Sequence, residues 1–211
     1  MTHLVLASRS PRRAEILTQL GVAFIVDAAN LDESPVEGES PREHVLRLAT
    51  AKCLSVATRH GANAVVLGAD TTVDVDGEIF GTPRDIDDAR QMLLRLAGRT
   101  HHVHTAVCVT GYRPGHQPGH QPGHQTGEQT SYQAVLDSAT VTMTPIAADA
   151  LEQYLLTGES LDKAGAYAVQ GKAGVFVAQV SGDLSTVIGL PIPLVQQLLR
   201  PFGLLPPQPR P

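Results

Sequence analysis

The chain has 211 residues, 42% of them hydrophobic, and a formal net charge of −5. That is enough apolar material for one α/β domain or two small lobes sharing a cleft, without disulfide or metal staples. Aromatics make up 4% and tryptophan is absent, which argues against a stacking platform for single-stranded nucleic acid. The acidic balance leaves any polyanionic ligand to be met by local cations or a metal ion.

Cys53 and Cys108 lack metal-ligand spacing and read as reduced thiols of a cytoplasmic protein. No apolar run approaches membrane-spanning length. From the N-terminus, His3 to Ala7 is a short apolar run that reads as a buried strand. Ser8 breaks it, Ser10 suits a helix N-cap, and Pro11 suits the first helical position, where no N–H is needed. Ile16, Leu17 and Leu20 predict an apolar helical face that stops at Gly21. Arg12 and Arg13 fall in the first turn, where cations oppose the helix dipole. A bound phosphate or carboxylate removes that conflict, using free backbone N–H groups and two guanidinium forks. The bland alternative is two solvated arginines.

Ala23 to Asp27 predicts a second strand, followed by a polar loop carrying Asp32, Glu33, Glu37 and Glu39. Ser40-Pro41-Arg42-Glu43 is a capping-box pattern opening a helix that runs to about His60. Its apolar stripe is Val45, Leu48, Ala49 and Val56, and Lys52 lies within that stripe. Such a lysine either snorkels to the rim or reaches an anion in a cleft. Ala64 to Ala69 is a continuous apolar run, expected of a strand buried on both faces, and it ends at Asp70-Thr71-Thr72. Ligands gather at the carboxyl ends of strands in open α/β sheets, so Asp70 is a site candidate.

Val73 to Phe80 reads as a hairpin turning at Asp76-Gly77. A helix then starts near Asp85 and buries Ile86, Ala89, Leu93 and Leu96 before Gly98. His102 to Val109 and Ala134 to Met143 predict strands. Between them Pro-Gly-His-Gln occurs three times, a low-complexity loop whose histidines His116, His120 and His124 are not expected to form a specific metal site. Pro145 to Leu156 predicts a helix, Gly174 to Val180 a strand and Pro193 to Phe202 a final helix. Between the first two lies a glycine-rich loop bearing Lys163 and Gln170, whose amide suits a nucleobase edge. The reading is one domain over 1–205 with a low-complexity insertion at 113–130, then a flexible tail over 206–211.

Arg12, Arg13 and Lys52 want an anion, and Glu33 and Asp70 are carboxylates that could share a Mg²⁺ with it or orient a water. Composition and spacing reach only a metal-dependent phosphoanhydride site. Neither a P-loop nor a dinucleotide-binding glycine fingerprint is present.

Leu6-Ala7-Ser8-Arg9-Ser10-Pro11-Arg12-Arg13-Ala14-Glu15-Ile16-Leu17 resembles the opening motif of the Maf family of nucleoside triphosphate pyrophosphatases. The resemblance continues through Asp32-Glu33-Ser34, Leu48-Ala49 with Lys52, Gly68-Ala69-Asp70-Thr71, and Gly98 with His102-Val103-His104-Thr105. It resumes at Thr157-Gly158-Glu159, Asp162-Lys163-Ala164-Gly165-Ala166-Tyr167, Val169-Gln170-Gly171 and Val187-Ile188-Gly189-Leu190-Pro191. It implies an elongated α/β fold with a twisted mixed sheet, flanking helices and two lobes around a central cleft, often dimeric. It also implies hydrolysis of a nucleoside triphosphate between the α and β phosphates with a divalent ion, Mg²⁺ or Mn²⁺, in nucleotide-pool housekeeping.

On that resemblance Asp70 is the proton acceptor, and Glu33 assists Asp70 with the metal. Ser8, Arg12, Arg13, Lys52 and Lys163 belong to the phosphate and specificity wall. Arg12, Thr71 and Gln170 resemble the subgroup acting on dTTP and UTP. The expected partner is the nucleotide, with neither nucleic acid nor membrane.

Two positions depart from the family pattern. Thr82 stands where a lysine is usual, removing a contact worth on the order of 1.5–3 kcal/mol unless something such as Arg84 replaces it. Thr186 stands where an asparagine is usual. The alternative reading is a non-catalytic nucleotide-binding regulator acting through a protein partner, for example in cell division.

Overall fold

In the computed structural model, residues 2–111 and 132–207 are described. The Pro-Gly-His-Gln repeat with its histidines, and the last residues of the tail, lie outside them. The alternating apolar residues of β1 (His3–Leu6) send Leu4 and Leu6 to one face and Val5 to the other. β1 pairs in parallel with β2 (Phe24–Val26) and with β3 (Ala64–Val75). Helix α1 (Pro11–Gln19) covers the Leu4/Leu6 face with Ile16 and Leu17. The opposite face is covered by α2 (Pro41–Ala57), which sets Val45, Ala49, Cys53 and Val56 against Val5 and Val66.

The capping box at Ser40 and Glu43 is formed. The cap at α1 differs from expectation. Ser10 occupies the N-cap position with no side-chain cap bond among the described residues, and its N–H instead donates to Ser8 Oγ at 3.2 Å.

β3 does not stop at Asp70 as the apolar run suggested. It continues through Val75 because β5 (Thr100–Thr110) pairs with it antiparallel from Val66 to Asp74. The hairpin then turns at Asp76-Gly77, both at positive φ, and returns as β4 (Glu78–Phe80). The β1 ladder ends at Leu6/Leu67 and β4 begins at Val73/Phe80. Asp70 therefore sits mid-strand, where the sheet passes from its parallel to its antiparallel part.

The sheet has the order β2-β1-β3-β5-β6-β7, with β4 beside β3, β6 spanning Tyr132–Met143 and β7 spanning Val177–Ser181. It is a mixed seven-stranded sheet of an α/β protein. A second core lies against its far half, where α3 (Ile86–Leu96) and α4 (Ala148–Leu155) bury Ala89, Leu93, Leu96, Leu151 and Tyr154 with Val73, Val103 and Val141. Truncating a fully buried side chain such as Leu93 to alanine costs about 2–5 kcal/mol.

The chain between Gly171 and Phe176 is a 3₁₀ turn rather than the start of a strand, closed by Gly174 N–H on Gly171 O at 3.0 Å. A short α5 (Leu184–Ile188), capped by Asp183, precedes α6 (Ile192–Leu199). No helix among the described residues is long and apolar enough to cross a membrane.

Candidate active site

A cleft of about 730 Å³ opens along the middle of β3, between the two cores. Its position follows from packing at Gly68. A Cβ there would fall 2.5 Å from Ala49 O and 2.6 Å from Cys53 N, so glycine lets α2 settle onto the strand. The close approach carries Lys52 over Asp70. Lys52 Nζ donates to Asp70 Oδ1 at 2.7 Å and lies 2.8 Å from Glu33 Oε2. Lys52 thus reaches a charged partner instead of snorkelling.

Lys52 and Asp70 are almost fully buried, and Glu33 is half exposed on its loop. Burial pushes the Asp70 carboxyl up, against the pull of the Lys52 and Arg13 charges.

The loop bearing Glu33 is tied to α2. Arg47 Nε donates to Glu39 Oε1 at 2.6 Å, Nη2 donates to Glu39 Oε2 at 2.8 Å, and Nη2 also reaches Ser34 O at 3.1 Å. The Arg47 bond is the main reason the Glu39 carboxyl lies at about 2. His44 Nδ1 sits 3.0 Å from the same carboxylate. In the sequence Glu39 is one of four acids in a polar loop, with Asp32, Glu33 and Glu37. The i, i+8 spacing of Glu39 and Arg47 across the capping box was the available clue.

Arg13 is committed to the protein on three sides. Nε donates to Gly189 O at 2.8 Å, Nη1 to Ser8 Oγ at 3.0 Å and Nη2 to Thr71 Oγ1 at 3.1 Å. Burial pushes its pKa down and the Asp70 charge opposes that. Gly189 closes α5 at φ +114, and a Cβ there would sit 3.1 Å from Thr71 Oγ1. Ser8 Oγ accepts from both Ser10 and Arg13, which leaves its own proton for a ligand.

Thr71 points to the sheet face opposite Asp70, and its hydroxyl proton has a fixed destination. Thr105 Oγ1 donates to Thr186 O at 2.7 Å, because a carbonyl can only accept. Thr71 Oγ1, 2.9 Å from Thr105 Oγ1, must then donate to Thr105 and accept from Arg13. Thr186 also bonds Asp137 through its hydroxyl. Thr105, fully buried, stands in the sequence only as the last residue of the His102-Val103-His104-Thr105 motif, with no role attached.

From the other side of the cleft, Lys163 Nζ is held by Glu159 O at 2.6 Å and by the Asp162 carboxylate. Arg12 reaches Asp162 loosely, at 3.4 Å to its carbonyl and 3.7 Å to Oδ2. Gln170 lines the cleft, is exposed, and has no side-chain partner among the described residues. Thr82 and Arg84 also line it, with Arg84 paired to Asp88 at 3.1 Å. The cleft therefore brings Arg12, Arg13, Lys52, Thr71, Lys163 and Gln170 together around Asp70 and Glu33.

The Maf-like protein family profile matches residues 3–202. The chain belongs to the Maf family. A dTTP/UTP pyrophosphatase of Myxococcus xanthus (strain DK1622) is 44% identical over 203 residues, covering 96% of this chain and 94% of that protein. A dTTP/UTP pyrophosphatase of Anaeromyxobacter sp. (strain Fw109-5) is 46% identical over 201 residues, covering 95% and 90%. Among solved structures, the Staphylococcus aureus Ham1 protein aligns over 94% of this chain and 98% of its own, at 15% identity and a TM-score of 0.48.

A divalent ion is what the Maf resemblance implies. Among the described residues no cluster of three or more His, Cys, Asp or Glu could hold a metal ion alone. Asp70 and Glu33 nonetheless meet at one point, the Lys52 ammonium. Two carboxylates with open coordination suit an ion shared with substrate phosphates, the usual habit of Mg²⁺.

Proposed function

We propose that this Maf protein hydrolyses nucleoside triphosphates, dTTP and UTP foremost, between the α and β phosphates. The observation that carries the reading is the buried Asp70 carboxylate held against Lys52 in a cation-lined cleft. The names of its relatives supply the substrate class.

Asp70, ionised, accepts a proton from water as the water oxygen bonds the α phosphorus. The bond from that phosphorus to the bridging oxygen breaks, and pyrophosphate leaves with the electron pair. Lys52 keeps Asp70 ionised despite its burial, while the raised pKa makes the carboxylate a better base than one in water. Arg12, loosely held, swings from Asp162 onto the phosphates, while Lys163, anchored on the Glu159 carbonyl, adds its charge from that wall of the cleft. Arg13 acts chiefly as a clamp on Ser8 and Thr71, with its remaining N–H groups toward the anion. Arg84 supplies the cation that Thr82 lacks once it leaves its exposed pair with Asp88. Glu33 and Asp70 are the residues that would hold a Mg²⁺ or Mn²⁺, whose chemistry is to neutralise phosphate charge.

A panel of nucleoside triphosphates with Mg²⁺ or Mn²⁺, with products resolved, tests this. Monophosphate plus pyrophosphate from dTTP and UTP is expected. Orthophosphate plus a diphosphate overturns the bond assignment. Tight binding without turnover favours the regulator reading instead.

A further inference from the structure

A second cavity, of about 420 Å³, opens beside the cleft and shares Arg12, Arg13, Glu33 and Lys52 with it. Ala7, Ser8, Arg9, Ala28 and Ala29 line this cavity and not the cleft. Its room comes from the alanines, where larger side chains would fill it. The Ala28 wall is fixed from behind. Arg59 Nη2 donates to Ala28 O at 3.0 Å and pairs with Asp27 at 2.9 Å, and His60 Nε2 lies 2.8 Å from the same carboxylate. On the β1 side, the bond from Ser10 N–H to Ser8 Oγ spans Arg9 and pins the turn that carries it. Arg9 itself is exposed, and its guanidinium has no polar partner among the described residues.

The two cavities differ in charge. Around the main cleft five cations face five carboxylates, Asp70 among them. Around the smaller cavity four cations, Arg9, Arg12, Arg13 and Lys52, face only Glu33 and Asp162. The terminal phosphate of a nucleoside triphosphate carries more negative charge than the inner ones, so a local excess of cations suits the end of the phosphate chain. The order of the lining agrees. Asp70 and Gln170 line the main cleft alone, and the shared cations mark its boundary with the smaller cavity. A triphosphate with its α phosphorus at Asp70 and its base toward Gln170 passes Lys52 and ends beside Arg9. Arg84 lines only the main cleft, so the cation it supplies serves the inner phosphates.

We propose that Arg9 and the alanine-walled cavity beside it bind the terminal phosphate, and so let the site tell a triphosphate from a diphosphate. This rests on the reading of the cleft as a nucleoside triphosphate site with Asp70 at the α phosphorus. The guanidinium fork offers paired N–H donors to phosphate oxygens. Arg9 touches the substrate away from the reacting atoms, and shorter nucleotides do not reach it.

The test is calorimetric binding of α,β-methylene-UTP, α,β-methylene-UDP and UMP, with Mg²⁺ present, to wild type, Arg9→Gln, Ala28→Leu and Arg200→Gln. The methylene bridge replaces the oxygen of the bond proposed to break, so the ligands stay intact. Arg200 is exposed and lies outside the lining of both cavities, which makes its variant the control for a lost charge. Arg9→Gln and Ala28→Leu are each expected to weaken the triphosphate analogue by about 5- to 20-fold, the scale of a charge-assisted contact, and the two shorter nucleotides by less than about 2-fold. Arg200→Gln should leave all three affinities unchanged. In turnover, the Arg9→Gln loss should appear in KM for UTP, since the contact is present before and during reaction.

A wild type that binds none of the three nucleotides overturns the reading of the cleft itself. A wild type that binds them, with an Arg9→Gln variant that loses all three alike or none, overturns the Arg9 assignment alone, as does an equal loss in Arg200→Gln. A selective loss in Arg9→Gln with none in Ala28→Leu overturns the cavity as the seat of the phosphate.

Discussion

Replacing Lys52 with methionine removes the ammonium that touches Asp70 while keeping most of the side chain's bulk. The two groups are 2.7 Å apart, with 8% and 6% of their residues exposed. Two unit charges 4 Å apart attract by about 4 kcal/mol at an effective dielectric constant of about 20. Removing one member of a buried pair costs about 3–5 kcal/mol, because the other is left uncompensated. The Glu33 contact adds little, since that carboxylate is half in water. Lys52→Met should therefore lose about 3–4 kcal/mol in urea denaturation at neutral pH.

The loss should depend on pH in a definite sense. Burial raises the Asp70 pKa in the folded protein, and Lys52 is the chief opposing influence. A carboxyl group raised on folding stabilises the fold while protonated, and that contribution disappears as pH rises through its folded pKa. The deficit of Lys52→Met should thus be greatest at neutral and alkaline pH and shrink toward the ordinary carboxylate range. The acid limb of kcat/KM should move to higher pH, because turnover needs ionised Asp70. Lys52→Met/Asp70→Asn, with no charge left to bury, should recover much of the stability. A Lys52→Met protein as stable as wild type at neutral pH, with an unmoved acid limb, would refute the reasoning.

Asp70→Asn should lower kcat by about 10²–10⁴-fold, the usual worth of a general base, with UTP binding by calorimetry retained. Thr105→Val breaks the hydroxyl relay, taking the Thr105 donor from the Thr186 carbonyl and the acceptor from the Thr71 hydroxyl proton, at about 1–3 kcal/mol in denaturation and with a raised KM; Thr105→Ser should restore both. His101 is held at about 4 by burial in the second core, where its Nε2 lies 2.7 Å from the Tyr167 hydroxyl. Because the unfolded chain binds that proton more readily, stability should fall as pH drops from about 6.5 toward about 4. His101→Phe should flatten that slope, and an unchanged slope would assign it to other groups.

Much of this site can be read from periodicity. Lys52 interrupts an apolar stripe, and a lysine so placed demands a partner. Asp70 follows a run of residues buried on both sides, so a carboxylate there has to be met by charge. Local patterns also gave α2 its capping box and the hairpin its Asp76-Gly77 turn.

Other features depend on neighbours far along the chain. The extension of β3 past Asp70 is dictated by β5, whose partner residues lie 28 to 34 positions away. The Thr71–Thr105–Thr186 relay joins three elements, and no spacing within one element announces it. Gly68 and Gly171 look alike in the sequence, yet one admits a helix and the other a carboxylate. Arg13, two residues into its helix, reads from the sequence as a phosphate ligand. Its bonds to Thr71 and to Gly189, well over a hundred residues on, come from tertiary packing that no local pattern announces.

Hydrolysis of UTP in ¹⁸O-labelled water, with mass analysis of both products, tests the bond assignment most directly. Attack at the α phosphorus by water activated at Asp70 predicts one label in the nucleoside monophosphate and none in the pyrophosphate, and loss of labelled product in Asp70→Asn. Label in the pyrophosphate, or labelling undiminished in Asp70→Asn, would contradict it.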